Sequence, residues 1–139
     1  VLVGYSAVAG TVTLLALFMA ALVIVWIPTH IWSLAIRARD DYRNAKIPML
    51  PVIVNDRVAT TCIAFTSSLL VVFSVAIFAF TAVSPFYVVS ALVSGAAILG
   101  YSIKLAIDHT ENTAWKLFKL SSPYLTIIFT AIVLDIWFF

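Results

Sequence analysis

Two long stretches of this chain contain no Asp, Glu, Lys or Arg, and they limit what the chain can fold into. The first runs from Val1 to Ile36 and the second from Val58 to Ile103. A helix needs roughly 20 apolar residues to cross a hydrocarbon core about 30 Å thick. The first stretch can therefore hold one membrane span and the second can hold two. Composition agrees, because 10% of the residues are charged, whereas soluble domains have about 25%.

A fourth span follows at the end of the chain, where residues 120–139 carry a single charge, Asp135. We predict four transmembrane helices at about 11–38, 56–80, 85–107 and 111–137. The expected fold class is an all-α integral membrane bundle. Its surroundings are the lipid bilayer, and no nucleic-acid partner is expected.

All the basic residues lie in two polar stretches, at 37–57 and 104–119. In a four-helix arrangement both stretches are on the same side of the membrane. Lys and Arg are retained on the cytoplasmic side. We therefore expect a multi-pass protein of the cell membrane with both polar loops in the cytoplasm.

The first polar loop carries the candidates for chemistry. If the first helix continues about one turn past Ala38, then His30, Arg37 and Asp41 share one face, because they are spaced by seven and four residues. The adjacent acids Asp40 and Asp41 suit Mg²⁺, which prefers carboxylates together with substrate phosphates. Nearby basic side chains would bind the remaining phosphate charge. The alternative stays open that these basic residues only set the membrane orientation.

Other polar residues allow a structural interpretation beside a functional one. An isolated histidine such as His30 is more typical of a hydrogen-bonded structural residue than of one that contacts a porphyrin, ligates iron or transfers a proton. His109, with Asp108 and Glu111, is a weak metal motif and is more typical of a solvated turn. We expect Asp135 to reach the outer interface.

Three motifs resemble one known family. The first is Trp26-x-Pro28-x-His30-x-Trp32, followed by Leu34-Ala35-Ile36. The second is Asp41-Tyr42-x-x-Ala45-x-Ile47-Pro48-Met49-Leu50-Pro51, and the third is Ala114-x-x-Leu117-Phe118-x-x-Ser121-x-x-Tyr124-Leu125. Together they resemble the heme O synthases (protoheme IX farnesyltransferases), which are UbiA-type intramembrane prenyltransferases.

The resemblance implies a bundle of about nine helices, of which residues 1–139 would be the C-terminal half. The absence of an initiator Met fits that expectation. The implied reaction transfers farnesyl from farnesyl diphosphate to a vinyl group of heme b, with Mg²⁺ holding the diphosphate. A first Asp-rich motif would lie in the missing N-terminal half of the same protein. The chain alone is therefore expected to be inactive.

The resemblance also implies roles for particular residues. Asp41 and Arg37 would be catalytic, and Asp41 would hold Mg²⁺ through the diphosphate. The residues implied to bind substrate are His30, Trp32, Asp40, Tyr42, Arg43 and Lys46.

Three positions depart from the family pattern. Arg37-x-x-x-Asp41 aligns with Asp-x-x-x-Asp, Thr29 replaces a Pro before the histidine, and Lys46 stands where a small residue, commonly Gly, is usual.

Two other functions stay open. One is a UbiA-type enzyme whose acceptor is a quinone precursor or a lipid. The other is a non-enzymatic four-helix membrane protein, which would need polar residues deep in several helices.

Charge placement predicts the sidedness of the loops. Cysteines introduced at Asn44 and at Asn112 should react with a membrane-impermeant thiol reagent only from the cytoplasmic side. The measurement compares labelling of intact cells with labelling of inverted vesicles. Labelling of either position from outside intact cells would contradict the predicted orientation.

Overall fold

The structure, a computed structural model, describes residues 1–81 and 83–138. Within those residues the chain forms helices joined by turns. In chain order they are α1 (Leu2–Ala9), α2 (Leu14–Arg37), α3 (Arg39–Asn44), α4 (Leu50–Ile53), α5 (Asp56–Phe80), α6 (Pro85–Asp108) and α7 (Glu111–Phe138).

The prediction of four membrane spans is confirmed, because α2, α5, α6 and α7 are each long and apolar enough to cross a bilayer. The largest difference from the predicted bounds is at the start of α2, which begins at Leu14 instead of near Thr11. Thr13 caps this helix by accepting a hydrogen bond from the backbone N–H of Ala16 (3.3 Å). The short helices α1, α3 and α4 were not predicted.

The four long helices form one bundle in which α2 and α6 each pack against both α5 and α7. The order around the bundle is therefore α2, α5, α6, α7. Asn55 and Ser84 cap α5 and α6 by accepting backbone hydrogen bonds from Val58 (2.9 Å) and Phe86 (3.2 Å). Side-chain caps of this kind satisfy N–H groups that have no partner within the helix.

A buried hydrogen-bond network joins three of these helices. The Tyr87 hydroxyl on α6 donates to the Ser74 carbonyl on α5 (2.7 Å). The Tyr124 hydroxyl on α7 donates to the Ser74 hydroxyl (2.8 Å), which in turn donates to the carbonyl of Val71 (2.8 Å). Each buried hydroxyl thus has a partner, as an apolar interior requires.

The expectation that Asp135 reaches the outer interface stays a prediction, but the structure shows that its carboxylate is buried. Asp135 is 2% exposed, and its carboxylate accepts hydrogen bonds from the backbone N–H of Ser84 (2.9 and 3.0 Å) and from the Ser84 hydroxyl. Ser84 is the N-cap residue of α6, so the carboxylate lies at the positive end of the helix dipole. Asp135 therefore connects α7 to the start of α6.

The turn between α6 and α7 is ordered by its own side chains. His109 ends α6 in the left-handed conformation (φ 51°), and its Nδ1 is 2.8 Å from the Thr60 hydroxyl on α5. Asp108 accepts hydrogen bonds from the Thr110 backbone N–H (3.0 Å) and the Thr113 hydroxyl (2.7 Å). Asp108 and His109, two residues of the weak metal motif, therefore serve mainly to connect the helices at this turn.

Helices α5 and α6 approach closely at Gly95. A Cβ atom added to Gly95 would lie 2.9 Å from Cγ1 of Val71 and 3.2 Å from its Cγ2. Because Val is branched at Cβ and stiff at χ1, it cannot easily turn away. The close approach therefore requires glycine at this position.

We predict that Gly95→Ala lowers the free energy of unfolding by about 1–2 kcal/mol, since overpacking outweighs the better helix propensity of Ala. Gly100→Ala is the matched control, because nothing lies within 4 Å of a Cβ added there. It should be neutral or slightly stabilising. Denaturant unfolding in detergent micelles is the measurement. Equal stability of the two variants would contradict the close approach.

Candidate functional site

The first polar loop does not continue α2 in a straight line. Helix α2 ends at Arg37, and Ala38 leaves helical geometry (φ −102°, ψ 27°) before α3 begins. His30, Arg37 and Asp41 therefore do not share one helical face, because that arrangement requires α2 to continue about one turn past Ala38. Alanine is a good helix former, so the helix propensity of this residue does not account for the break. Arg39 turns towards the start of α5 and forms an ion pair with Asp56.

A polar cavity of about 360 Å³ lies at this break, which we call the charged cavity. Six of its seven lining residues are charged: Arg37, Arg39, Asp40, Asp41, Arg43 and Glu111, with Ala38 as the seventh. Three guanidinium groups and three carboxylates therefore surround one space. The start of α7 contributes Glu111, and the other six residues come from the end of α2, the break at Ala38 and α3.

Ion pairs occupy all three arginines of the charged cavity. Arg37 Nη1 lies 3.2 Å from Glu111 Oε2, and Arg43 Nη1 lies 3.0 Å from Asp40 Oδ1. The side chains of Arg37 and Glu111 are 54% and 62% exposed. Exposed pairs of this kind contribute about 0–1 kcal/mol. A more highly charged anion can therefore displace such carboxylates from the guanidinium groups.

Asp41 differs from the other acids of the charged cavity. Among residues 1–81 and 83–138 its carboxylate has neither an ion pair nor a side-chain hydrogen bond. It is exposed and belongs to the first turn of α3. Asp41 is therefore the carboxylate of this cavity that is available to a cation.

The structure brings together four of the residues proposed from sequence and leaves four apart. Arg37, Asp40, Asp41 and Arg43 line the charged cavity. The others do not line it: His30, Trp32, Tyr42 and Lys46. Trp32 is partly buried against the core of the bundle, and Tyr42 is partly buried in α3.

Lys46 ends α3 in a Schellman motif. Its φ is 55°, its backbone N–H donates to the carbonyl of Arg43 (3.1 Å), and the N–H of Ile47 donates to the carbonyl of Tyr42 (3.0 Å). The left-handed residue of this motif is usually glycine, because a Cβ is unfavourable there. The small residue that the resemblance implies at this position would suit this backbone conformation.

His30 lies about 10 Å before Arg37 along α2, at 1.5 Å per residue, in a stack of aromatic rings. Its ring centroid is 4.3 Å from that of Trp26 and 4.4 Å from that of Phe118 on α7. His30 Nδ1 is 2.7 Å from the hydroxyl of Ser121, and Trp26 Nε1 donates to the Ser121 carbonyl (2.8 Å). These contacts hold His30 at the α2–α7 interface rather than in the charged cavity.

Sequence reasoning missed the part that α7 plays. It treated Glu111 as part of a turn, and it gave no role to Ser121. The placement of both polar stretches on one side of the membrane was the available signal for Glu111, because it puts the start of α7 beside the end of α2. Ser121 belongs to the third motif quoted above, but its partner lies 91 residues earlier in the chain.

The carboxylates do not form a complete metal site by themselves. Within the described residues no group of three His, Cys, Asp or Glu side chains is arranged to hold a metal ion. Mg²⁺ in phosphate-transfer sites is commonly bound by one or two carboxylates together with substrate phosphates. Asp41 beside three arginines fits that shared type of site and does not fit a site built from protein ligands alone.

A family model described as the UbiA prenyltransferase family matches residues 1–123. The chain therefore belongs to the UbiA prenyltransferase family, a class of helical membrane enzymes. No solved structure matches the chain significantly.

Curated relatives agree on one activity name. The chain is 45% identical over 136 residues to the protoheme IX farnesyltransferase of Desulforudis audaxviator, a match that covers 98% of this chain and 43% of the relative. It is 43% identical to that of Sulfurisphaera tokodaii (94% of this chain, 43% of the relative). It is 42% identical to protoheme IX farnesyltransferase 1 of Cenarchaeum symbiosum (95% and 44%). The chain thus spans less than half the length of these relatives.

The Schellman motif predicts how position 46 responds to substitution. Lys46→Gly and Lys46→Ala remove the same charge, but only glycine removes the Cβ from a left-handed residue. Lys46→Gly should therefore have a free energy of unfolding about 1 kcal/mol above that of Lys46→Ala. Thermal unfolding in detergent compares the two. Equal stability would mean that the backbone at Lys46 is not left-handed in the membrane.

Proposed function

We propose that the chain is the C-terminal half of an enzyme that transfers a farnesyl group from farnesyl diphosphate to a vinyl group of protoheme IX. The observation that carries the proposal is the charged cavity, in which an available carboxylate lies beside three arginines. The names of the relatives, at up to 45% identity over nearly the whole chain, support the choice of substrates.

The charged cavity suits the diphosphate end of the donor. Arg37 and Arg43 lie on the cavity wall in exposed ion pairs with Glu111 and Asp40. Guanidinium groups bind phosphate oxygens with two parallel hydrogen bonds, which are stronger than bonds between neutral groups. We infer that the diphosphate takes over the guanidinium groups of Arg37 and Arg43. Glu111 and Asp40 hold those groups in place while the site is empty.

Asp41 is assigned to the magnesium ion that accompanies the diphosphate. Mg²⁺ supplies Lewis-acid stabilisation of the negative charge on the leaving group. Asp41 would hold the ion from the protein side, and Arg37 and Arg43 would bind the phosphate oxygens that the ion leaves uncovered. Further carboxylates would come from an Asp-rich motif in the N-terminal half.

The remaining assignments follow from the positions of the residues. Tyr42 and Lys46 belong to α3 and its C-terminal cap, next to the charged cavity, and we assign them to the diphosphate side. His30 and Trp32 lie deeper in α2 and are assigned to the acceptor side.

We also propose that loops 37–57 and 104–119 face the cytoplasm of a cell membrane. This orientation would place the charged cavity on the side where farnesyl diphosphate is soluble.

The activity is tested with the full-length protein in membranes. Farnesyl diphosphate and protoheme IX are supplied with Mg²⁺, and the hydroxyethylfarnesyl product is detected by mass spectrometry. Transfer to protoheme supports the proposal. Transfer to a quinone precursor in parallel reactions, with none to protoheme, would overturn the acceptor and keep the class of enzyme.

Asp41→Asn tests the assignment of the cation. It keeps the size of the side chain and removes its charge, so prenyl transfer by the full-length protein should fall by about 10²–10³, which corresponds to about 3–4 kcal/mol of lost charge stabilisation. Asp40→Asn is the matched control, because Asp40 already pairs with Arg43. It should cost less. Equal and mild effects, with protein level controlled, would show that Asp41 does not hold the cation.

A further inference from the structure

The hydroxyl group of Ser121 determines which nitrogen of His30 carries the proton. Ser121 Oγ lies 2.7 Å from the carbonyl oxygen of Phe118 and 2.7 Å from His30 Nδ1. A carbonyl oxygen can only accept, so the single hydroxyl hydrogen of Ser121 must point at Phe118. Ser121 Oγ therefore accepts from His30, and Nδ1 carries the hydrogen.

In a neutral imidazole only one ring nitrogen carries a hydrogen. With the proton on Nδ1, the other nitrogen, Nε2, has a free lone pair. Nε2 has no hydrogen-bond partner among the described residues, and within them the only fully buried polar side-chain atom without a partner is Arg39 Nε. His30 Nε2 therefore keeps accessible surface at the edge of the ring.

The ring is also held in orientation. Trp26 and Phe118 stack on it with interplanar angles of 21° and 29°. Trp26 is fixed in turn by its hydrogen bond to the Ser121 carbonyl. Ser121 thus positions His30 directly through its hydroxyl and indirectly through Trp26.

A neutral histidine with one nitrogen hydrogen-bonded and the other free is the usual arrangement of a metal-binding imidazole. A hydrogen-bond partner on the nitrogen that does not bind the metal orients the ring and raises the basicity of the other nitrogen. We propose that His30 Nε2 binds the iron of the porphyrin substrate as an axial ligand, and that Ser121 is the positioning residue for this contact. The identity of the porphyrin rests on the proposed function.

The other histidine of the chain supplies a matched control. His109 Nδ1 is also hydrogen-bonded to a hydroxyl, that of Thr60, which in turn donates to the Asp56 carbonyl (2.9 Å). His109 lies in the turn between α6 and α7, and no stacked aromatic ring is found on it among the described residues. Substitution of His109 therefore tests whether any accessible histidine of this chain can bind the iron.

The experiment uses the full-length protein in nanodiscs with added protoheme IX. Resonance Raman spectra of the ferrous form should show an iron–histidine vibration in the wild-type protein and in His109→Asn, and should lack it in His30→Asn. Asparagine can still donate to Ser121 but has no Nε2. Added imidazole should restore the axial ligand in His30→Asn. An iron–histidine vibration that persists in His30→Asn would overturn the proposal.

Affinity measurements distinguish a role of Ser121 in iron ligation by His30 from a role of Ser121 in packing. Ser121→Ala should weaken binding of ferric protoheme by about 10–100-fold, the usual effect of removing the partner of a metal-bound histidine. Binding of iron-free protoporphyrin IX should stay unchanged, and Thr60→Ala should affect neither ligand. Equal weakening for both porphyrins would overturn the positioning role.

Nitrogen NMR of the wild-type protein labelled with ¹⁵N-histidine tests the tautomer without any substitution. His30 should show a protonated Nδ1 and an unprotonated Nε2, and the reverse would overturn the proposal.

The activity assay distinguishes failure of the proposed function from failure of the proposed iron ligation. An iron–histidine vibration without prenyl transfer would overturn the proposed function alone. Transfer without ligation through His30 would overturn this inference alone.

Discussion

The hydrocarbon interior of a membrane offers no hydrogen-bond partner, so polar groups in the four spans are unfavourable unless the protein or a bound ligand satisfies them. Helices satisfy their own backbone. The side chains that remain are matched between helices, as Ser74, Tyr87 and Tyr124 show. Asp135 meets the same requirement with the N–H and hydroxyl of Ser84. The arrangement of the helices therefore depends on a small number of buried polar contacts as well as on apolar packing.

The contact between α2 and α7 connects this packing to chemistry. At its polar end Arg37 meets Glu111 beside the charged cavity, and deeper in the bundle His30 meets Ser121. The two places suit different ligands. The charged cavity offers guanidinium groups and a carboxylate, which suits a diphosphate with its cation. The stacked imidazole offers a single nitrogen in aromatic surroundings. The proposed function needs both, because its donor is highly charged at one end and its proposed acceptor is a porphyrin.

Many large apolar side chains of the long helices point away from the bundle. Ile24 on α2, Phe65 on α5 and Val93 on α6 are more than half exposed, and so is Val133 on α7. Such a surface is unfavourable in water but is expected in a bilayer, where lipid tails are equally apolar. The apolar exterior and the buried polar contacts therefore have the same cause.

The sequence by itself determined the number of membrane spans and most of their limits. Both follow from local properties, namely the length of uncharged stretches and the placement of residues such as Asn55, Ser84 and Pro85. It also located much of the candidate site, because Arg37, Asp40, Asp41 and Arg43 are close together in the chain. Their proposed roles depended on the family resemblance.

Only the tertiary structure decided which of these groups meet residues from distant parts of the chain. Arg39 pairs with Asp56 of α5 directly after the break at Ala38, and Glu111 becomes part of the charged cavity only when α7 packs against α2. The surroundings of His30 have the same origin, since Phe118 and Ser121 come from α7. Local sequence patterns carry no information on such partners, because each contact forms between helices and its geometry depends on how the whole bundle packs.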